Sequence, residues 1–462
     1  MSSKIITYCT FILLLLISCH SYQESLSEQS NVLKGGQASY QQYCASCHGP
    51  HLQKFKNEDW KKGKTPTEIQ KIIRMGMSEQ GMPAFGEALS DEAIADVTSY
   101  ILQYEFDTLA NSPVLSASYP IEVIVEGLDI PWGMEFLPNG EMLIAEREGK
   151  LSKLTKEKTL IEIKGLPPIR ARGQGGLMDL KLHPQYAKNG WLYISYSYID
   201  EDNKNAGNTA IIRAQLQNNE LSNIETIYKG FPAVETNYHF GNRMVFDRNN
   251  YLYFTNGDRG KRDLFPQSLN NTNGKVHRLH DDGSIPKDNP FVDVPNAAPS
   301  IYSYGHRNPQ GIAMHPTTGA IWESEHGPKG GDEINLIEQG KNYGWPVISY
   351  GINYNGTIFT ELTKKEGMEQ PLYYYVPSIA PCGMSFISSD LYGDWKNSLL
   401  IGSLSFRYLE RIQFDAQHKV VVREKLLEDL DSRVRDVREG PDGYIYVALE
   451  EPGRIIKLLP QK

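Results

Sequence analysis

The sequence predicts an all-β domain with the six-bladed propeller fold, preceded by a small all-α domain. The 462-residue chain contains 27 tyrosines, 40 glycines and 26 prolines, a composition typical of many short strands joined by turns. From about residue 120 onward, helical spacing gives way to alternation, and one strand–turn–strand unit recurs six times. Two capped helical patterns before residue 107 predict the α domain.

The overall composition narrows the class of protein. With 40% apolar and 22% charged residues, the chain has the make-up of a soluble globular protein. Its net charge of −9, without a long basic run, argues against nucleic acid as a partner. The length suits one small domain and one large β domain.

The first 19 residues resemble a bacterial export signal. Lys4 precedes an apolar run, Phe11–Ile17, that is too short to span a bilayer comfortably. The run ends in Leu-Ile-Ser-Cys, which resembles a lipobox, so we expect Cys19 to become a lipidated N-terminus; an ordinary signal peptide is the alternative. We therefore expect an exported, periplasmic protein anchored to the membrane by lipid, with residues 20–31 as a polar tether.

The segment Cys44-Ala45-Ser46-Cys47-His48 has the spacing of a covalent c-type haem site. Two thiols one helical turn apart can reach both vinyl groups of a porphyrin, and His48 then lies under the iron as its proximal ligand. A zinc half-site or a redox CxxC is the alternative. A zinc site needs two further ligands at matching spacing, and Cys382 is the only cysteine downstream.

Two helical patterns follow the haem motif. The first begins at a capping box, Thr65–Glu68, and the second begins after Ser90. Met82 lies between them in a Gly-Met-Pro loop and is the predicted distal haem ligand, with Met75 and Met77 as competitors. This order of elements resembles class I cytochrome c across residues 32–106.

A linker at 107–119 leads to the predicted propeller at 120–462. Repeats begin 43 to 72 residues apart, which is enough for a four-stranded blade each. They start near Gly133, Gly176, Asn242, Gly311, Gly383 and Asp436. The uneven spacing leaves five or seven blades as alternatives.

The repeats also sort the histidines. His183 and His315 precede proline in the turn within a repeat, where the first repeat has leucine, so we expect them to be structural. His239 lies just before a repeat begins, where propeller loops point at the central channel. It is therefore the candidate general base. His306 and His326 lie in loops too, but within motifs that have another use.

Eight motifs from residue 133 onward resemble the soluble quinoprotein glucose/sorbosone dehydrogenase family, which includes the aldose sugar dehydrogenases. They are GQGGL at 173–177, NGDRG at 256–260, DGSIPKDNP at 282–290, GHRNPQG at 305–311, SEHGP at 324–328, GDEIN at 331–335, NYGWP at 342–346 and RVRD at 433–436.

The resemblance implies a propeller that binds pyrroloquinoline quinone (PQQ) over its channel, with Ca²⁺ beside it. His239 matches the proton acceptor of the family. The positions that match PQQ contacts are Gln174, Arg307, Asn308, Tyr354, Arg433 and Arg435. A lysine of some members falls on Ser405, so Arg407 is the candidate to replace it.

The calcium ligands implied by the resemblance are of two kinds. Glu333 and Tyr343 match metal-binding positions of the aldose dehydrogenases. The carbonyls of Gly327 and Pro328 match those that hold Ca²⁺ against PQQ in glucose dehydrogenases. Oxygen ligands of both kinds suit calcium.

These features together predict an enzyme that oxidises aldose sugars at the anomeric carbon to lactones and passes the electrons to its own haem. A periplasmic or membrane acceptor, a cytochrome or a terminal oxidase, would take them onward. Sorbosone or another alcohol is the alternative substrate. A non-catalytic, lipid-anchored sugar-binding propeller is the alternative function, although such a module needs no general base beside a carboxylate clamp.

Overall fold

The computed structural model describes residues 35–36, 38–40, 42–48, 65–77, 82–103 and 114–461. The chain divides into two compact units, Met1–Asp107 and Thr108–Lys462, and each is described by itself. The predictions for Cys19, for the tether at 20–31 and for residues 107–113 of the linker lie outside the described residues. Among the helices that are described, none is both long and apolar enough to cross a membrane.

The N-terminal unit contains helices over Ala45–His48, Pro66–Met75 and Asp91–Gln103. The predicted capping box begins the second of these helices. Oγ1 of Thr65 accepts a hydrogen bond from the backbone N–H of Glu68 (3.3 Å), and the Glu68 carboxylate accepts one from the backbone N–H of Thr65 (2.6 Å). These two bonds satisfy amide groups that no helical carbonyl can reach.

The helices of this unit meet in one apolar cluster. Ile69 and Ile73 from the second helix pack against Ile94, Val97 and Ile101 from the third, as the spacing predicts. The cluster consists of Tyr40, Cys44, Ile69, Ile73, Leu89, Ile94, Val97, Tyr100 and Ile101. The haem-motif residue Cys44 is thus part of this buried core.

The C-terminal unit is a six-bladed β-propeller, which confirms the predicted fold and the predicted blade count. Two strands, β1 (Val114–Ala117) and β2 (Ile121–Leu128), come before the first blade. Blade 1 contains β3 (Pro131–Phe136), β4 (Met142–Glu146), β5 (Lys150–Leu154) and β6 (Leu160–Glu162). Blade 2 contains β7 (Leu177–Leu182), β8 (Trp191–Ile199), β9 (Gly207–Gln217) and β10 (Glu220–Lys229), with a short helix, Tyr186–Asn189, between β7 and β8.

The remaining blades have the same antiparallel order. Blade 3 contains β11 (Met244–Phe246), β12 (Leu252–Asn256), β13 (Lys275–Leu279) and β14 (Ile301–Tyr304). Blade 4 contains β15 (Pro309–Met314), β16 (Ile321–Glu325), β17 (Asp332–Ile337) and β18 (Tyr373–Tyr375). Blade 5 contains β19 (Pro381–Phe386), β20 (Leu399–Ser403), β21 (Leu409–Phe414) and β22 (Val420–Leu426), with 3₁₀ turns at Gly393–Trp395 and Glu428–Leu430. Blade 6 contains β23 (Arg433–Glu439), β24 (Ile445–Glu450) and β25 (Gly453–Leu458).

The first strands of the blades, β3, β7, β11, β15, β19 and β23, are neighbours around the central channel. Each predicted repeat start lies within one of these strands or at most two residues before it. Five of the six second strands are buried along their whole length, and β8 is half-buried only at its two end residues, because neighbouring blades cover both faces of these strands. Because both faces of these strands are covered, successive residues are buried and do not alternate strictly between buried and exposed.

Blade 6 is completed by the N-terminal strand. β2 pairs antiparallel with β25, so the start and the end of the propeller are joined in one sheet. β1 pairs in parallel with β22 and adds a fifth strand to blade 5. Residues 114–117 thus form a strand although they fall within the predicted linker, because four residues at a sheet edge are too few to show alternation.

Candidate active site

A cleft of about 460 Å³ opens at one end of the channel. Its walls come from loops that precede the first strands, such as those with Gln174 and His239, and from loops that follow the second strands, such as that with Asp258. In an antiparallel blade these two kinds of loop lie at the same end. The lining residues are Gln174, Tyr238, His239, Asp258, Gly260, Arg262, Arg307, Pro328, Trp345, Asn353 and Tyr354.

His239 is held in a defined orientation within this cleft. Its backbone N–H donates to Oε1 of Gln174 (2.8 Å), and its Nδ1 lies 2.7 Å from Oδ1 of Asp258. The second carboxylate oxygen of Asp258 accepts a hydrogen bond from Nε1 of Trp345 (2.9 Å). A carboxylate can only accept, so Nδ1 of His239 carries the proton and Nε2 keeps its lone pair.

The protonation states of this pair follow from its surroundings. Burial and the positive charge of Arg307 lower the pKa of His239 from its ordinary value. Burial alone would raise the pKa of Asp258, but His239, Arg307 and the Trp345 hydrogen bond outweigh it and lower that pKa. At neutral pH the site therefore holds a neutral imidazole beside an anionic carboxylate, the state that a general base needs.

Arg307 lines the cleft next to this pair, and the adjacent Asn308 is buried outside the lining residues. Nη1 of Arg307 donates to the carbonyls of His326 (3.0 Å) and Gly327 (2.8 Å). Oδ1 of Asn308 accepts from the backbone N–H of Gly241 (3.3 Å). Nδ2 of Asn308 is buried and has no hydrogen-bond partner among the described residues, so it is a donor that a bound acceptor would satisfy.

The other three predicted PQQ arginines are not among the residues that line this cleft. Nε of Arg433 and Nε of Arg435 share the Glu450 carboxylate, at 2.8 and 2.5 Å, and Arg435 also reaches Gln310 across the channel. Arg407 bonds the carbonyl of Asp431 and the carboxylate of Glu451. The structure thus brings Gln174, His239, Arg307 and Tyr354 together around one cleft. PQQ contact stays a prediction for all of the named positions, and Asn308, Arg407, Arg433 and Arg435 are not among the residues that line this cleft.

The predicted calcium ligands lie in two places. Pro328 lines the cleft, while Gly327, Glu333 and Tyr343 line a small cavity of about 10 Å³ beside it, together with Glu325. The carbonyl oxygen of Gly327 already accepts a hydrogen bond from the Arg307 guanidinium. It is therefore a weaker ligand for Ca²⁺ than a carbonyl without such a bond.

The small cavity adjoins a buried group of carboxylates. Nδ2 of Asn335 lies 3.2 to 3.4 Å from carboxylate oxygens of Glu323, Glu325 and Glu333. Burial and the charge of Glu325 raise the pKa of both Glu323 and Glu333. Oε1 of Glu323 and Oδ1 of Asn335 are buried without a partner among the described residues. His306 stands beside Glu323 and Glu325, with one potential ligand atom from each of the three within 4.8 Å of the others. So many oxygen donors fit a hard cation such as Ca²⁺, which stays a prediction.

The predicted haem residues lie in the N-terminal unit. Cys47 and His48 belong to the helix Ala45–His48, which starts beside the buried Cys44. Met82 packs against the apolar cluster of this unit, and its backbone pairs with that of Met77. The competitor Met75 is 66% exposed. Met82 is thus more buried than Met75, as expected for a haem ligand. Its role as the distal ligand stays a prediction.

The histidines assigned to structural roles pack as expected. Nδ1 of His183 accepts from the backbone N–H of Gln185, and its ring contacts Tyr193 and Phe246. His315 likewise accepts from turn amides, and its ring contacts Phe386. Neither ring lines the cleft.

Sequence reasoning missed the roles of Asp258 and Trp345. Both residues belong to quoted motifs, but the partner of Asp258, His239, is 19 residues away, and the partner of Trp345, Asp258, is 87 residues away. One signal was available for Asp258: it directly follows a second strand, at the end of the blade where His239 precedes a first strand.

Two family models match the chain. The model for glucose/sorbosone dehydrogenase matches residues 128–457, which confirms the predicted resemblance. The model for cytochrome c oxidase, cbb3-type, subunit III matches residues 31–101, which shows a cytochrome c domain at the N-terminus.

Individual relatives agree with these matches. Aldose sugar dehydrogenase YliI of Escherichia coli (strain K12) is 41% identical over 352 residues, which cover 75% of this chain and 94% of that protein. A crystal structure of a glucose dehydrogenase superposes with a TM-score of 0.72 at 39% identity, covering 74% of this chain and 100% of that one. The PQQ-bound aldose sugar dehydrogenase of Streptomyces coelicolor superposes with a TM-score of 0.61 at 25% identity, covering 75% and 99%. The chain therefore belongs to the glucose/sorbosone dehydrogenase family.

Proposed function

We propose that this protein oxidises aldose sugars at the anomeric carbon to lactones, with PQQ as the first electron acceptor and the N-terminal haem as the second. The observation that carries the proposal is the His239–Asp258 pair, which lies in an open cleft lined by Arg307. Relatives of the same family are aldose sugar dehydrogenases, and one of them holds PQQ.

The residues of the cleft suit the carboxylate-rich PQQ. Arg307 supplies positive charge, and Tyr354 is a largely exposed ring. Next to Arg307 in the chain, Nδ2 of Asn308 is a buried donor without a partner among the described residues. When bound, PQQ supplies a two-electron acceptor for the hydride on the anomeric carbon.

The chain's own groups account for the accompanying proton. Nε2 of His239 takes the proton of the anomeric hydroxyl as the hydride leaves C1, so the sugar loses two electrons and two protons in all. Asp258 holds Nδ1 protonated and stabilises the imidazolium that forms. Arg307 stabilises negative charge that develops beside it.

A titration of cofactor-free protein tests the proposal. PQQ and Ca²⁺ are added together and separately, and haem reduction is followed by absorbance with a panel of aldoses, sorbosone and simple alcohols. We expect reduction only with PQQ present and with sugars that have a free anomeric hydroxyl. Reduction by sorbosone or alcohols alone would assign the alternative substrate, and binding without any turnover would show a sugar-binding module.

The cellular setting is part of the proposal. We propose that the protein is exported and lipid-anchored through Cys19, and that its haem feeds a periplasmic or membrane acceptor. Replacement of Cys19 by serine should release the protein from the membrane fraction while leaving its dye-linked activity unchanged. Retention in that fraction would contradict the anchor.

A further inference from the structure

The segment that carries His239 has no regular secondary structure and is held by one buried arginine. Arg259 donates through Nη2 to the carbonyl of Thr236 (2.7 Å) and through Nη1 to the carbonyl of Tyr238. Its guanidinium carbon lies 3.4 Å from the ring centroid of Phe240. One side chain thus contacts the residues on both sides of His239.

The main chain of Arg259 adds two further bonds to the same segment. Its N–H donates to the carbonyl of His239 (3.3 Å), and its carbonyl accepts from Oγ1 of Thr236 (2.7 Å). Because Asp258 is the preceding residue, the segment is tied directly to the carboxylate that orients the imidazole.

The backbone at this junction needs such support. His239 and Arg259 have φ values of +58° and +52°, in the left-handed region that side chains rarely adopt. Conformations of this kind persist only where the surrounding contacts determine them. Release of the segment would let His239 turn away from Asp258 and from the cleft.

The chemistry of arginine suits this task. Arg259 is fully buried, and its side-chain hydrogen bonds go to main-chain carbonyls. A planar guanidinium can donate in fixed directions to carbonyls two residues apart, whereas lysine offers a point charge and glutamine offers one amide. Burial and the nearby Arg170 lower the pKa of Arg259 to about 9, so it stays charged at neutral pH.

We propose that Arg259 is a positioning residue for His239: it holds Thr236–Phe240 so that the imidazole stays on Asp258 and open to the cleft. The inference rests on the proposed role of His239 as general base. The charged and titratable groups that face His239 are Tyr238, Asp258, Arg259, Arg307 and His326. Arg259 differs from the others in bonding the backbone that carries the ring.

The test is a double-mutant cycle on the full-length, PQQ-loaded protein. Arg259→Gln and Arg259→Lys are made in the wild-type protein and in His239→Asn. We expect Arg259→Gln to lower kcat about 10- to 100-fold with the sugar KM changed less than about threefold, since small displacements of a catalytic group cost this much. Arg259→Lys should recover part of the loss. In His239→Asn, Arg259→Gln should cause no further loss, because its effect passes through the imidazole.

Two further variants separate positioning from folding. Arg248→Gln is the matched control, because Arg248 also bonds two loop carbonyls, those of Pro316 and Thr317, but in turns outside the cleft. It should leave kcat unchanged. Thr236→Val removes only the hydroxyl bond to Arg259 and should lower kcat a few-fold at constant KM, which decides the question if Arg259→Gln does not fold.

Several results would overturn the inference. Losses from Arg259→Gln and His239→Asn that multiply would show that Arg259 acts elsewhere, as would an unchanged kcat in both Arg259→Gln and Thr236→Val. If His239→Asn alone keeps the wild-type kcat, His239 is not the general base, and the proposed function is contradicted.

Discussion

At the residue scale, His239 and His183 are chemically identical groups with different surroundings. His239 lies in an open cleft on Asp258, whereas His183 is buried against Tyr193 and Phe246. His239→Ala should lower kcat at least about a hundredfold while PQQ still binds, because general bases contribute roughly 10² to 10⁴. Steady-state kinetics and a PQQ titration measure the two effects.

His183→Ala is the control for that variant. It removes a packed ring and an acceptor for the Gln185 amide, so it should lower the free energy of unfolding by about 1–3 kcal/mol and leave kcat nearly unchanged. Equal kinetic losses in the two variants would contradict the distinction between them.

The contact between Asp258 and His239 also predicts how kcat/KM depends on pH. The pKa of His239 is lowered by burial and by Arg307, so kcat/KM should fall on acidification through a midpoint below the ordinary histidine value of about 6.5. Asp258→Asn removes an anion that raises this pKa, so the midpoint should move to still lower pH. It should also lower kcat at least about a hundredfold, because the amide no longer selects the Nδ1-protonated tautomer. A midpoint that moves upward would exclude Asp258 as the partner.

In the N-terminal unit, the prediction to be tested is that Met82 is the distal haem ligand. Met82→Ala should open the haem iron to carbon monoxide and abolish the iron–sulfur charge-transfer band of the oxidised protein. Met75→Ala, at an exposed position of the same unit, should leave both properties unchanged. The reverse outcome would assign Met75 as the ligand.

Among the strands, β2 completes blade 6 by pairing with β25 and so joins the start of the propeller to its end. Leu128 at its end is buried in a cluster with Met134, Ile144 and Ile455, which joins blades 1 and 6. Leu128→Ala should lower the free energy of unfolding by about 2–5 kcal/mol, the range for large-to-small changes in a core. Chemical denaturation followed by tryptophan fluorescence measures this loss.

The control lies on the same strand. Val123 is 38% exposed, so Val123→Ala should cost less than about 1 kcal/mol. A similar loss in both variants would show that β2 is not held by the packing of Leu128.

At the scale of the whole molecule, the haem and the dehydrogenase site belong to one chain. Ten residues separate Gln103, at the end of the last helix, from Val114 in β1. A tether of that length raises the effective concentration of the acceptor to roughly millimolar. Stopped-flow reduction of the haem by sugar should therefore be first order, with a rate independent of protein concentration.

A variant without the haem thioethers separates the two activities. Replacement of both Cys44 and Cys47 by alanine should leave dye-linked sugar oxidation intact and stop transfer to cytochrome acceptors. If the haem reduction rate instead rises in proportion to protein concentration, electrons pass between molecules.

Features that depend on local spacing could be predicted from the sequence. The capping box at Thr65, the CxxCH segment and the six repeat starts each follow from residues close together in the chain, because helices, turns and strand pairs are local structures. The repeat also singled out His239, since its place before a first strand is a local fact.

Contacts between residues far apart in the chain became visible only in the folded propeller. Asp258 contacts His239, Trp345 donates to Asp258, and Arg259 bonds the backbone beside His239, because the ring of blades brings loops 19 to 87 residues apart to one end of the channel. Four residues of the expected linker became β1 because an exposed edge of blade 5 accepted them. Side-chain partners of this kind depend on how the ring closes, which sets distances that spacing along the chain does not encode.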